Sequence, residues 1–272
     1  MKKRLIAFLA IIFVISFVFA SCGDKFSGNY KEITPEQKEE YAEKLSTAAK
    51  SAEKKSVKEE VDMTYSYKDS EGNEESYDIS GTALLDLSDA NNKKVSYDVT
   101  MSQKVEKGTT KVTMKVAYAQ TDNKVYIDLT VKAPEKDDYS TKGYVNGLSS
   151  GLVDNLIPEE IADVDFDQMV QEIVQSLKSA ELPEGTKVSV DGDKIKMEYE
   201  HSGIKGELYF VVDGDNLSCK ATSKGTSTYG ETSTTMDMTM VLETTSETVK
   251  LPSYDKEINM TELAEALSSL GM

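Results

Sequence analysis

Most of the chain alternates between apolar and polar residues. Five runs of this pattern lie between Val61 and Val131, and short turns rich in Gly, Asn and Asp separate them. Alternation with period two is typical of strands with one buried and one solvated face, and short turns join antiparallel neighbours. Further runs lie between Val188 and Leu242, although the Thr/Ser/Gly-rich stretch at 223–233 fits either a long loop or a strand. The pattern predicts an antiparallel sheet of about ten strands.

Two regions follow a helical period instead. The first begins at Thr34, where the sequence Thr-Pro-Glu-Gln is typical of a capped helix start, and it continues to Ala52. The second is a helical insert at about 144–182, and its clearest amphipathic run ends at Leu177. Because a sheet of about ten strands tends to curl, we expect a single α+β domain over 34–272. Its architecture would be one curved, half-barrel sheet, mostly antiparallel, with helices covering the concave face.

The N-terminus has the layout of a secretory signal peptide. Three basic residues precede an apolar run of about 15 residues, which ends in small residues before Cys22. A membrane-spanning helix needs roughly 20 apolar residues, so a cleaved leader is the better interpretation than an uncleaved span. The sequence Phe19-Ala20-Ser21-Cys22 resembles the lipobox of bacterial lipoproteins, with Phe at the position where that family usually has Leu.

The lipobox resemblance implies cleavage before Cys22, a diacylglyceryl thioether on its sulfur and acylation of the new amine. Residues 1–21 would then be the signal peptide, and 22–33 would be the lipidated cysteine with a short polar tether. Each buried methylene adds about 0.8 kcal/mol, so two or three acyl chains anchor a protein stably where one does not. We therefore expect a lipid-anchored protein on the extracytoplasmic side of a cell membrane.

Acidic residues outnumber basic ones. The chain has 31 Lys and Arg against 48 Asp and Glu, which is a formal charge of −17. Three of the basic residues lie in the leader, so the mature chain would carry 28 against 48, a charge of −20. Binding to nucleic acid or adsorption to anionic lipid needs clustered cations, so we expect neither. With Cys22 acylated, Cys219 has no disulfide partner, and its alternating context predicts a buried, small hydrophobic residue.

The order of elements is also informative. A helix, five strands, a helical pair, about five strands and a terminal helix that Asn259 could cap follow one another over most of 35–272. This order, together with the lipobox, resembles the carrier-type half-barrel lipoproteins, a superfamily that includes the LolA-like proteins. No diagnostic motif is involved. In such families a curved antiparallel sheet closed by helices holds acyl chains, so the resemblance implies a non-enzymatic protein that binds a lipid or another hydrophobic ligand.

Seven methionines fall in predicted strands, in phase with the apolar residues, where β-branched residues are the usual choice. Methionine is flexible and polarisable, so it suits a surface that accepts variable apolar shapes. The candidate cavity lining is Met63, Tyr65, Val99, Met101, Met114, Val116, Ile127, Leu129, Met197, Met236, Met238 and Met240. The alternative is an ordinary core packed under the helices, since an unoccupied cavity costs stability. A structural or interaction protein without a small-molecule ligand is the alternative function, and the acidic charge motivates it.

Two further patterns suggest chemistry and fail on context. The sequence at 147–151 matches the G-x-S-x-G nucleophile elbow, which requires a preceding strand, yet 141–146 does not resemble one. His201, the single histidine, would have to serve Ser149 as the general base. The aspartates at 163–167 open like a calcium loop but lack its glycine and its final glutamate. We therefore predict no catalytic residue, no metal site and no cofactor.

Overall fold

A computed structural model describes residues 24–52, 55–89, 91–105, 108–122, 124–134, 136–146, 174–175, 177–178, 185–201, 203–259, 261 and 263. The N-terminal part begins with a 3-10 turn (Asp24–Phe26) and the helix α1 (Pro35–Ala52). The strands are β1 (Lys31–Glu32), β2 (Ser56–Lys68), β3 (Glu74–Asp86), β4 (Lys94–Val105), β5 (Gly108–Ala119), β6 (Lys124–Lys132), β7 (Tyr139–Asn146), β8 (Lys187–Asp191), β9 (Lys194–His201), β10 (Ile204–Asp213), β11 (Asn216–Tyr229) and β12 (Thr232–Thr245).

These strands form one open, curved sheet in the order β1-β8-β9-β10-β11-β12-β2-β3-β4-β5-β6-β7. Every neighbouring pair in this order is antiparallel. The β2–β7 meander and the β8–β12 meander therefore lie side by side, joined where β12 pairs with β2. The predicted antiparallel class is confirmed. The predicted count of about ten is wrong, because the described residues contain twelve strands, and β1 and β7 at the two edges were the strands missed.

The sheet has one apolar side, which we call the inner face. It is the side against which α1 packs. In β6 the residues Val125, Ile127, Leu129 and Val131 are buried on this face, while the residues between them are half-buried on the opposite, outer face. The same alternation continues through the neighbouring strands because paired residues of an antiparallel sheet project to the same side. The predicted period-two alternation is thus confirmed for β2–β6, β8–β10 and most of β11 and β12.

Helix α1 begins as predicted. The Gln37 side chain accepts a hydrogen bond from the Thr34 amide (3.0 Å), and the Thr34 hydroxyl accepts one from the Gln37 amide (3.4 Å). This reciprocal pair is a capping box, which satisfies amides that have no partner within the helix. The helix then buries Leu45 and its neighbouring alanines against the inner face of β10 and β11.

The prediction that helices cover the concave face is correct only in part. Among the described residues, α1 is the single long helix, and it packs over the β8–β12 half. The insert predicted at about 144–182 does not begin as a helix, because 139–146 is strand β7. Most of the insert lies outside the described residues. Val174 and Leu177, near its end, are helical and buried in the same cluster as α1.

The segment predicted as a tether is docked on the outer face. Phe26 packs against Tyr209 (ring centroids 6.2 Å apart) and is buried with Val241. The Lys25 ammonium donates to the Ser218 hydroxyl (2.9 Å) and forms an ion pair with Glu243. The segment that begins at Asp24 is therefore held in place by its packing against the outer face of β10–β12. The first residues after the expected anchor belong to the folded domain.

The C-terminal segment (246–259) crosses the outer face in the opposite half. It is held at one end by Asp86, whose carboxylate accepts a hydrogen bond from the Val249 amide. At the other end it joins the free edge of β7, where the Tyr144 amide donates to Lys256 O (2.9 Å) and the Ile258 amide donates to Tyr144 O (2.8 Å). Ile258 then packs into the core on the inner face. The segment thus wraps around the β7 edge.

Candidate functional site: the inner face of the sheet

The predicted cavity-lining residues share one surface. The pairing registers place all twelve on the inner face. Two rows illustrate this. Val99, Met114 and Leu129 are consecutive partners across β4, β5 and β6. Met197 and Met240 are joined through Leu208 and Ala221 across β9 to β12.

Burial divides these residues into two groups. Seven are buried: Met63, Met101, Val116, Ile127, Leu129, Met197 and Met240. Five are half-buried: Tyr65, Val99, Met114, Met236 and Met238. Partial exposure on an otherwise apolar surface leaves side chains that a ligand can contact without prior opening of the core. The half-buried group is therefore the better candidate for a ligand contact, and the buried group forms its support.

Three half-buried members lie together at one end of the sheet. Tyr65 is near the end of β2, and Met236 and Met238 are near the start of β12. Because β12 and β2 are antiparallel neighbours, these ends are adjacent. The Tyr65 ring lies against the Tyr77 ring, with centroids 6.3 Å apart. At this end, three of the five half-buried residues that were predicted to line a cavity lie together.

The inner face holds two hydrophobic clusters. The first lies under α1 and contains Val57, Met197, Phe210 and Leu242. The second covers β2–β7 and includes Met63, Tyr97 and Ile127, with Ile258 and Leu263 from the C-terminal region. Each cluster combines residues that are distant from one another in the sequence. The boundary between them crosses β2.

Glu59 lies at that boundary. It projects from the inner face of β2 between Val57 of the first cluster and Met63 of the second, and its partner on β3 is Ala83. The side chain is only 7% exposed. Its Oε1 atom has no hydrogen-bond partner among the described residues. Burial raises the pKa of Glu59 well above its ordinary value of 4.5, because desolvation disfavours the carboxylate.

Sequence reasoning missed Glu59. The predicted strand began at Val61, whereas β2 begins at Ser56. Once the strand is extended backwards, Glu59 occupies the same phase as Val57, Val61 and Met63. A charged residue in the apolar phase of a strand is the signal that would have identified it.

Two tyrosine hydroxyls on the inner face have hydrogen-bond partners. The Tyr199 hydroxyl lies 3.2 Å from the hydroxyl of Ser223, which is buried. The Tyr77 hydroxyl accepts a hydrogen bond from the Gln103 amide (3.0 Å) and donates to Glu75 (2.9 Å). These pairs satisfy the desolvated groups that take part in them. By contrast, Glu59 Oε1 and Thr186 Oγ1 are buried and have no hydrogen-bond partner among the described residues.

Cys219 is buried in the first cluster, as predicted, and is a free cysteine. Burial raises the pKa of its thiol, so the reactive thiolate is disfavoured. Packing of Cys219 in the cluster beneath α1 explains a small apolar side chain at this position, and no chemical role is needed. The bland prediction for Cys219 is confirmed.

The outer face is polar and carries cross-strand ion pairs. Lys196 contacts both Glu198 (3.0 Å) and Glu207 (2.8 Å), and Lys142 contacts Asp128 (3.1 Å). A cavity of about 340 Å³ lies between the C-terminal segment and β3–β6. Tyr126 and Tyr254 form one wall of this cavity, with ring centroids 6.1 Å apart. The polar surface is thus separated from the apolar inner face by the thickness of the sheet.

Several predicted features lie outside the described residues. These are the lipobox and Cys22, the G-x-S-x-G sequence with Ser149, and the aspartates at 163–167. Residues 141–146 were predicted not to be strand-like, and that prediction is wrong, because they belong to β7. This strand pairs antiparallel with β6, whereas a nucleophile elbow lies above a parallel sheet.

Two features are absent from the described part of the chain. No group of three or more His, Cys, Asp or Glu side chains there could hold a metal ion. No helix there is long and apolar enough to span a membrane.

No family model matches the chain, and no curated protein matches it. Among solved structures, the chain is similar to the S-type phycobiliprotein lyase CPES from Guillardia theta, at 6% sequence identity. The similarity covers 70% of this chain and 88% of that chain, with a TM-score of 0.16. A likeness at this TM-score carries no argument about what this chain does.

Proposed function

We propose that this protein is a membrane-anchored lipoprotein of the cell envelope that binds a lipid or another hydrophobic ligand on the inner face of its sheet. It carries out no reaction of its own. The observation that carries the proposal is the apolar inner face, where Met236 and Met238 at one end are only half-buried. Methionine side chains adapt to different apolar shapes, which suits a ligand of variable chain length or branching.

The docked N-terminal segment supports a separation between the anchor and the ligand site. Asp24, where the docked segment begins, is two residues after Cys22, and two residues of chain span at most about 7 Å. The inner face is on the other side of the sheet. An acyl group on Cys22 would therefore hold the outer face of β10–β12 towards the membrane and leave the inner face available.

Ligand binding is tested on the full chain, expressed with its own N-terminus in a bacterium and extracted in detergent. Native mass spectrometry should detect a stoichiometric apolar species that solvent extraction removes. Met238→Asp should abolish its retention, because the substitution places a charge at the half-buried end of the inner face. Thr239→Asp is the matched control, since Thr239 is the next residue and is exposed on the outer face.

One result would refute ligand binding. If the protein emerges without a bound species and takes up neither added phospholipid nor added dodecanol, the methionines are core residues only. The Met238→Asp variant would then lose stability without any change in ligand content.

The anchor is tested separately by metabolic labelling with an alkyne-bearing fatty acid. Cys22→Ser should remove the label and move the protein from the membrane fraction to the soluble fraction. Cys219→Ser is the control, because Cys219 is the other cysteine of the chain and is buried in the core. Equal labelling of the protein and the Cys22→Ser variant would contradict the anchor.

The outer face supports the alternative of an interaction protein without a small-molecule ligand. Acidic and basic side chains alternate across β9–β12, with ion pairs such as Lys224 to Asp237. Exposed pairs of this kind contribute little to stability and are free to exchange for contacts with a partner. Recovery of an envelope partner at low salt, together with a ligand-free inner face, would favour this function.

A further inference from the structure

The inner face contains a buried carboxyl group, that of Glu59, which does not stabilise the apolar core around it. Glu59 is 7% exposed, it lies in the apolar row of β2 with Val57 and Val61, and its Oε1 has no hydrogen-bond partner among the described residues. A buried polar atom without a partner destabilises the folded state. Leucine or methionine at this position would continue the apolar phase of β2. The carboxyl group therefore calls for an explanation other than stability.

The position of Glu59 suits contact with a ligand. On the same face of β2 it lies between Val57 of the first cluster and, beyond Val61, Met63 of the second cluster. A ligand that lies along the inner face from the half-buried end at Met236 and Met238 towards α1 must pass this boundary. Glu59 would then meet the polar head of a molecule whose apolar part contacts the methionines.

We propose that Glu59 determines ligand specificity, and that the ligand is an amphiphile with an amine head instead of a carboxylate head. This inference rests on the proposed function of the inner face. An amine and the Glu59 carboxyl form a pair with no net charge, whether the proton resides on nitrogen or on oxygen. A carboxylate head would leave one net negative charge in an apolar environment, which is costly.

The charge of the whole chain acts in the same direction. Its formal charge is −17, so a cationic head is attracted and an anionic head is repelled at long range. This long-range term is independent of Glu59. The experiment must therefore separate it from the local contact.

The test uses dodecylamine, dodecanol and dodecanoate as probes of one chain length. Each is titrated into the delipidated full chain in detergent-free amphipol, and binding is followed by the NMR signals of the methionine methyl groups. At pH 7 dodecylamine should bind roughly tenfold or more tightly than dodecanoate, as one charge-assisted hydrogen bond implies. The shifts should include Met63, which lies on β2 between Glu59 and the half-buried end, and Met238 at that end.

Two glutamate variants give the matched comparison. Glu59→Gln should remove most of the preference for the amine. It should leave the affinity for dodecanol, which has no charged head, within about twofold of the original value. Glu60→Gln removes the same charge from the next residue, which lies on the outer face beside Lys58 (3.2 Å). It should retain the preference. Glu59→Leu, which fills the apolar phase, provides a second variant if the glutamine variant does not fold.

The possible failures are distinguishable. If none of the three probes shifts a methionine signal, the proposed function fails. If all three bind equally, or if Glu59→Gln and Glu60→Gln change the preference to the same extent, the inner face remains a site but Glu59 does not select its ligand. A preference for dodecanoate would also overturn the inference.

Discussion

Val57 and Met63 project from the same face of one strand, yet they belong to different hydrophobic clusters. Leu85 on the neighbouring strand contacts both clusters, so the two are adjacent. The boundary falls where Glu59 interrupts the apolar phase of β2. Glu59 and Val61 lie between the two clusters on β2 and belong to neither, so the boundary contains the charged residue of an otherwise apolar row.

Glu59 should make stability depend on pH. Its pKa is raised in the folded protein, so the folded state retains the proton that the unfolded state releases above its ordinary pKa of 4.5. Stability is therefore highest below that value and falls as the pH rises towards the folded pKa. Glu59→Gln lacks this titration. Thermal unfolding should be measured between pH 4.5 and pH 8. As the pH rises, the free energy of unfolding of the variant should increase relative to that of the unmodified protein. The increase should be about 1.4 kcal/mol for each pH unit by which the folded pKa of Glu59 exceeds its unfolded pKa.

The control for that series is Glu60→Gln, which changes a side chain on the outer face. Its stability relative to the unmodified protein should vary little over the same pH range. Parallel curves for the Glu59→Gln variant and the unmodified protein would mean that Glu59 is ionised in the folded state.

Leu45→Ala should destabilise the protein strongly. Leu45 is fully buried between α1 and the inner face, and its truncation leaves a cavity that the rigid sheet cannot fill. A loss of about 2–5 kcal/mol is expected in chemical denaturation. Glu43→Ala, on the exposed side of the same helix, should change stability by less than about 0.5 kcal/mol. Similar losses for both variants would contradict the packing of α1 on the sheet.

Asp86 should contribute stability that is lost in acid. Burial alone would raise its pKa, but hydrogen bonds from Ser88 and from the Val249 amide, with Lys94 nearby, lower the pKa below 3.8. The carboxylate therefore stabilises the fold above that value, and the contribution is lost as the pH falls through the folded pKa. Asp86→Asn should cost about 1–3 kcal/mol at pH 7. The cost should shrink as the pH falls below 3.8 and through the lowered pKa of the folded protein.

The exposed Asp62 provides the comparison for Asp86. Asp62→Asn should leave stability nearly unchanged at pH 7. A cost for Asp86→Asn that persists undiminished into acid would show that its hydrogen bonds do not require the charge.

Gly143→Ala should detach the C-terminal segment from the edge of β7. A β-carbon at this position would lie 2.3 Å from Lys256 O and 2.9 Å from Ile258 Cγ1. Because Lys256 O is a backbone atom, the segment around it must move as a whole. The hydrogen bond from the Ile258 amide to Tyr144 O should therefore break. Hydrogen exchange of the Ile258 amide should become faster, and proteolysis within 247–258 should increase. Ser140→Ala, an exposed change in the same strand, should leave both measurements unaltered.

Edge strands explain the main error in the predicted fold. In β7 the inner-face positions include Thr141 and Gly143, which weaken the apolar alternation. An edge strand pairs on one side only and packs less apolar surface, so its pattern is fainter than that of a central strand. At 223–233 the Thr-rich pattern left loop and strand open, and the pairing of β11 with β12 decided in favour of strands.

The amino-acid sequence by itself determined what depends on near neighbours. The alternation of β2–β6 and β9–β12, the capping box of α1 and the hairpin turns at Gly192 and Gly214 are all local, and each was readable. These features specify the elements and which side of each strand is apolar. They follow from backbone sterics and side-chain burial within a few residues.

Only the tertiary structure decided which distant residues meet. It joined the two meanders through β12 and β2, packed 24–30 on the outer face and placed the C-terminal segment around β7. It also made Glu59 a buried group without a partner among the described residues. Such outcomes depend on the summed packing of residues far apart in the chain. The apolar period of a strand shows which of its faces is buried. It does not show which distant residues pack against that face.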